Sequence, residues 1–206
     1  MALIHQATLT PTKLELLTGW LPGRSWFSPA GPLRQWGAYR FDDPAGEVGV
    51  EGLLVGPEGG PVHHVPLTYR ATPVAGAEEY LIGTTEHSVL GTRWVYDASG
   101  DPVWVTAAAT AILTGGTQVE ELVDTDGRLV PRVPTATVRG SGTPGTPVPA
   151  VGTSTVRQEG PVTVIASGDL ELALVRVAGA ELGAAHTLTG RWSGGQAVLA
   201  GVRLLG

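Results

Sequence analysis

The sequence predicts a mixed fold: an antiparallel sheet, two helices packed on it, and a small β-rich segment at the end. Short apolar and β-branched runs are separated by strong turn sequences, and two segments carry apolar residues at helical spacing. The 30 glycines and 16 prolines among 206 residues favour short strands and tight turns over long helices. A hydrophobic content of 42% is ordinary for a globular protein, and the length allows one large core or a main domain with a small one appended.

Residues 2–8 read as a short strand. Thr10 with Pro11, or Thr12 with Glu15 in a capping box, starts a helix in which Leu14, Leu17 and Leu21 recur on one side, and Pro22 and Gly23 end it. Lys13, the sole lysine, reads as an exposed helical residue whose replacement leaves the fold almost unchanged. Residues 34–41, 48–55 and 62–69 read as strands of a meander, joined by the turn sequences DDPAG at 42–46 and GPEGGP at 56–61. Residues 88–96 read as a further strand. Asp101 and Pro102 open a second helix with an acidic N-cap and a first-turn proline. Val103, Trp104, Ala107, Ala108, Ala111 and Ile112 form its apolar stripe, and Gly115 follows as the C′ residue. Narrow stripes on both helices predict that the two brace one face of a single sheet.

Residues 118–123 and 128–138 read as strands around an Asp-Gly hairpin signal at 126–127. The run GSGTPGTPVPAVG at 140–152 reads as a mobile linker between a domain of residues 1–139 and a β-rich segment of residues 153–206. Within that segment 163–166, 170–177, 187–192 and 197–204 read as strands. No internal repeat is evident.

Composition excludes several function classes. The net charge is −6 and the basic residues are scattered, so no stripe for a phosphate backbone exists and no nucleic-acid partner is expected. The absence of cysteine removes disulfides and thiolate metal sites. Residues 1–10 lack the basic and apolar regions of a secretory signal. The longest mostly apolar stretch, 103–113, is far below the roughly 20 residues that span a bilayer. A cytoplasmic protein with no membrane partner is expected.

Individual motifs are mostly structural on this reading. Gly140, Gly142 and Gly145 match the dinucleotide pattern G-x-G-x-x-G, but Pro144, Pro147 and Pro149 forbid the helix that must receive the pyrophosphate. His63 and His64 are adjacent in a strand and point to opposite faces, and His5, His87 and His186 have no ligand spacing to them, so neither metal nor cofactor is expected. The pairs Asp42 and Asp43, Glu78 and Glu79, Glu120 and Glu121 are sequence neighbours rather than carboxylates converging from separate elements, and read as solvated surface. No nucleophile elbow occurs. Trp20, Trp36 and Trp104 read as core. Trp26 and Phe27 beside Pro29, and Trp192 before a glycine turn, are the candidates for ligand or partner contact, since an exposed aromatic stacks on a sugar ring or anchors a partner.

VPLTYR at 65–70, Ile82 with Gly83, and WVYDA at 94–98 followed by Asp101 and Pro102 resemble the N-terminal cap domain of actinobacterial maltokinases. Leu21-Pro22 and Trp26-Phe27 resemble the start of that cap, although SPAG at 28–31 replaces the usual glycine- and lysine-rich continuation. LALVR at 172–176 resembles the strand of the following kinase segment that normally ends Leu-Lys-Leu-Tyr-Arg, with Ala173 in the place of the nucleotide-binding lysine. The resemblance implies an α+β fold with a curved antiparallel sheet and packed helices. It also implies descent from a sugar kinase whose point charge on the nucleotide phosphates is gone. Arg176 is an odd number of positions from Ala173, faces the other side of the strand, and is not expected to substitute.

The family's catalytic aspartate, metal ligands and sugar pocket lie in a C-terminal lobe, and these residues contain no His-x-Asp or Asp-Phe-Gly element. The resulting expectation is a non-catalytic binding or scaffolding protein of α-glucan, trehalose or amino-sugar metabolism, docking on a kinase or another carbohydrate-metabolism protein. The alternatives are a component of a split sugar kinase and a carbohydrate-binding module with a sugar ligand.

Overall fold

The computed structural model describes residues 2–4, 7–28, 30–125 and 128–205. His5, Pro29 and the Asp-Gly signal at 126–127 therefore lie outside the described residues. The elements in order are β1 (Ala2–Ile4), β2 (Leu9–Thr10), α1 (Lys13–Trp20), β3 (Arg34–Phe41), β4 (Gly49–Gly56), β5 (His63–Arg70), β6 (Leu81–His87), β7 (Gly91–Asp97) and α2 (Pro102–Thr114). They continue with β8 (Glu121–Thr125), β9 (Arg128–Arg132), β10 (Ala136–Gly140), β11 (Thr155–Glu159), β12 (Val162–Ser167), β13 (Leu170–Val175), β14 (His186–Trp192) and β15 (Gly195–Leu204).

Three sheets result. The first runs β2-β6-β7-β5-β4-β3, and the second runs β10-β14-β15-β13-β12-β11. Both are antiparallel throughout. A small sheet, β1-β8-β9, pairs β1 with β8 in parallel and β8 with β9 antiparallel. With the two helices this is the α+β class that the sequence predicts.

The helices start where their caps require. Thr12 accepts a hydrogen bond from the Glu15 amide at 3.3 Å while Glu15 accepts from the Thr12 amide at 2.7 Å, which places the α1 N-cap at Thr12 rather than Thr10. Asp101 accepts from the Val103 amide at 3.0 Å to cap α2, and Gly115, at φ 71°, takes the left-handed conformation that ends it.

The helices lie on opposite faces of the first sheet, and the period-2 pattern of β4 explains why. Val50 and Leu54 point into a core shared with Trp104 and Ile112 of α2 and with Leu172 and Leu188 of the second sheet. Leu53 and Val55 point the other way, to Leu17 and Leu21 beside α1, Trp26, Val65 and Val95. Both faces of the first sheet are apolar, so each takes its own cover; the expectation that the two helices share one face does not hold.

The second sheet joins the first at two places. A Cβ on Gly37 would lie 2.9 Å from the Ala136 Cβ and 3.0 Å from the Trp192 Cβ, so β3 and β10 come this close only because residue 37 is glycine. On the far side the His64 amide donates to the Arg176 carbonyl at 3.0 Å and the Ala178 amide to the Val62 carbonyl at 2.8 Å.

Residues 140–152 are part of this assembly. The Gly142 and Thr143 amides donate to the Ile112 and Leu113 carbonyls at 2.9 and 3.0 Å, closing the C-terminal end of α2. A Cβ on Gly140 or Gly142 would lie 1.9 Å from the Ala111 or Leu113 carbonyl oxygen respectively. These glycines therefore serve close backbone approach to the negative end of a helix. Val148 and Val151 pack against the shared core, which runs across the segment rather than stopping at it.

Three features of the strand pattern escape the sequence reading. β6 is mostly polar, β11 is exposed along almost its whole length, and the predicted strand 128–138 divides at Pro134 into β9 and β10 of different sheets. Among the described residues no helix is long and apolar enough to cross a membrane.

Candidate functional site

Two clusters of polar side chains are built into this frame. One lies at the seam between the large sheets. Arg176 follows β13 directly and is 1% exposed. Its Nη2 donates to the two Asp97 carboxylate oxygens at 3.0 and 2.7 Å and to Ser99 Oγ at 3.2 Å, and its Nε donates to Thr163 Oγ1 at 2.8 Å. The guanidinium also lies 5.0 Å from the Trp26 ring centre. A buried arginine thus binds the end of β13 to the end of β7. Ala173 stands on β13 between Val164 and Gly201.

The two adjacent histidines flank the seam from opposite faces of β5, as their spacing predicts. His64 Nδ1 lies 3.2 Å from the Leu199 carbonyl, which only accepts, so Nδ1 carries the proton and Nε2 accepts from the Tyr39 hydroxyl at 2.9 Å. Burial, together with the charge of Arg176, lowers the His64 pKa to about 3. His63 packs against Trp26 and Phe27, with ring centres 5.8 and 5.0 Å away, and burial lowers its pKa too. Among the described residues no group of three or more potential ligands is arranged to hold a metal ion.

The aromatic candidates take different places. Trp26 is 8% exposed and sits inside, between Trp20, His63 and Arg176, so the surface position expected for it is not there. Phe27 is half-buried against His63, and Trp192 is half-buried against the shared core.

The second cluster lines a cleft of about 780 Å³ beside α1, reaching the small sheet. Lys13 from α1, Arg40 from β3, Glu51 from β4, Tyr69 from β5, Glu121 from β8 and Arg132 from β9 converge there. Lys13 Nζ lies 2.8 and 2.6 Å from the two Glu51 oxygens, and the Tyr69 hydroxyl donates to Glu51 Oε2 at 2.8 Å. Arg40 approaches Glu51 at 3.6 Å, and Arg132 approaches Glu121 at 3.7 Å. Burial alone would raise the Glu51 pKa; Lys13 and Arg40, with hydrogen bonds from Lys13 and Tyr69, reverse this and bring it to about 2. Burial and the Glu51 charge push the Tyr69 phenol well above its usual range.

Sequence reasoning missed this cluster. Lys13 is not a free helical lysine but the nearest cation to a buried carboxylate. Glu121 is buried and faces the cleft, whereas its neighbour Glu120 is exposed as expected of that pair. A signal was present: in GVEGLLVG the parity of Glu51 matches Leu53 and Val55, which sets a carboxylate on an apolar face.

Both clusters make stability depend on pH in the same direction. His64 is held neutral, so the unfolded chain takes up a proton from pH 6.5 downward while the folded protein does not until about pH 3. The stability it contributes is present above pH 6.5 and lost through that window. Glu51, with a folded pKa of about 2 against 4.5, contributes roughly 3 kcal/mol that is lost between those values. Denaturant midpoints should therefore fall continuously from pH 7 to pH 3. Lys13→Met should lower the midpoint at pH 7 and bring the Glu51-dependent loss in at higher pH; a profile identical to that of the parent would contradict this.

Residues 20–101 match the family model of the maltokinase N-terminal cap domain, a span that holds Trp26, Arg40, Glu51, Tyr69 and Asp97 and ends at the N-cap of α2. No curated protein matches the chain.

Proposed function

We propose that the chain, whose residues 20–101 match the maltokinase N-terminal cap domain, is a non-catalytic binding or scaffolding protein that docks onto a sugar kinase or another protein of α-glucan, trehalose or amino-sugar metabolism. One observation carries this reading. On β13 Ala173, where the resemblance of residues 172–176 to a kinase strand would put the lysine, is flanked by Val164 and Gly201, and the sole lysine, Lys13, is held by Glu51 beside the other large sheet. Phosphoryl transfer depends on fixed cations that stabilise the developing charge on the phosphates. Arg176 is committed to Asp97, and Arg157 and Arg203 are both held by Glu171. The test is incubation with Mg-ATP and maltose, glucose or glucosamine, followed by detection of sugar phosphate. No product above the protein-free background is expected, and product that depends on this chain would overturn the proposal.

A second reading, a ligand-binding module, is favoured by one observation: polar and charged side chains from six separate elements converge on the cleft.

A further inference from the structure

We propose that this cleft is a site for a neutral ligand carrying adjacent hydroxyls, and that Arg40 and Glu121 read those hydroxyls. The inference rests on the ligand-binding reading and adds to it the chemistry of the ligand. A cavity of about 780 Å³ lies in the size range of small-molecule sites, roughly 300–1,000 Å³.

Charge balance comes first. The lining carries four cations, Lys13, Arg40, Arg93 and Arg132, against five carboxylates, Asp42, Asp43, Glu47, Glu51 and Glu121, so an added phosphate meets no net attraction. Burying a net charge there would not be offset.

Hydrogen-bonding capacity then narrows the class. Lys13 and Tyr69 direct their donors to Glu51. Arg40 does not: among the described residues its ion-pair contact is with Glu51 at 3.6 Å, and its side chain is 22% exposed. Glu121 is buried, yet its contact with Arg132 is 3.7 Å long. Arg40 and Glu121 both line the cleft, and the Val119 amide donates to the Arg40 carbonyl at 2.9 Å, which brings the chain entering β8 against β3, so a donor and an acceptor face the same space. A carboxylate cannot donate to Glu121, an ammonium cannot accept from Arg40, and a phosphate, which can donate through P–OH, brings a negative charge to Glu121. A hydroxyl does both. The guanidinium fork takes two acceptors side by side, which favours hydroxyls on adjacent carbons over a carboxamide with its single oxygen.

The experiment is ligand titration of the full chain, followed by ¹H–¹⁵N NMR, with glucose, maltose and sorbitol as neutral polyols and inorganic phosphate and acetamide as comparators. Saturable binding of a polyol is expected, with shifts at Arg40, Glu121 and their cleft neighbours. Arg40→Gln and Glu121→Gln should weaken it by about tenfold or more, whereas Arg203→Gln, outside the cleft, should leave it unchanged. Should these two variants fail to fold, the shift map of the parent protein and the half-exposed Arg132→Gln variant decide the matter, with weakening of a few-fold expected. Absence of saturable polyol binding, tighter binding of phosphate or acetamide, or shifts that map away from the cleft would each overturn the proposal. The sugar-phosphate assay is independent of this titration, so the two proposals fail separately.

Discussion

Replacing Arg176 with methionine is expected to destabilise the protein by about 3–5 kcal/mol, because removal of one partner leaves a buried charge uncompensated. Asp97 is 6% exposed, and without Arg176 the hydrogen bond left to its carboxylate among the described residues is the 3.1 Å contact from the Ser99 amide. The same change removes the donor to Thr163 and the cation beside Trp26, so a single side chain couples β7, β12, β13 and the Trp26 loop. Urea midpoints measure the loss. Adding Asp97→Asn to Arg176→Met should recover part of it, since an amide is far cheaper to leave buried than a carboxylate. A loss below about 1 kcal/mol for the single variant would mean that the seam is held by packing alone.

Trp104→Ala should be comparably damaging, at about 3–5 kcal/mol. Trp104 is fully buried on α2, in the core that the helix shares with both large sheets. No neighbouring side chain can refill that volume without moving a sheet, because the interior is close-packed. Trp26→Ala should also be costly, since Trp26 sits between Trp20, His63 and Arg176 rather than at the surface. Denaturant midpoints for the two variants compare them directly. A near-neutral Trp104→Ala would show that α2 is not packed as described.

The legible parts of the fold are those written in local chemistry. The Thr12 and Glu15 box, the Asp101-Pro102 start of α2, the glycine at its end and the β3 strand all follow from short-range patterns. So does the placement of His63 and His64 on opposite faces of β5. What could not be read was where distant elements meet. Arg176 and Asp97 each lie within motifs that carry the family resemblance, yet their pairing joins residues 79 positions apart. The Lys13 to Glu51 contact spans 38 positions and looks in sequence like an exposed helical lysine and a strand carboxylate. The glycine run at 140–145 suggested a flexible joint because its partner, the C-terminal end of α2, is supplied by tertiary structure.

The same limit applies to function. The likeness of residues 172–176 to a kinase strand is carried by one line of sequence, whereas the cleft exists only once β8 and β9 have folded against the α1 side of the first sheet. The phosphate-binding question and the ligand-binding question therefore rest on different residues and are answered by different experiments.

The most direct measurement is calorimetric titration of Mg-ATP into the purified chain. With Ala173 on β13 and Lys13 held by Glu51, no saturable binding is predicted up to millimolar nucleotide. Saturable micromolar binding that places the phosphates against β13 would contradict the account.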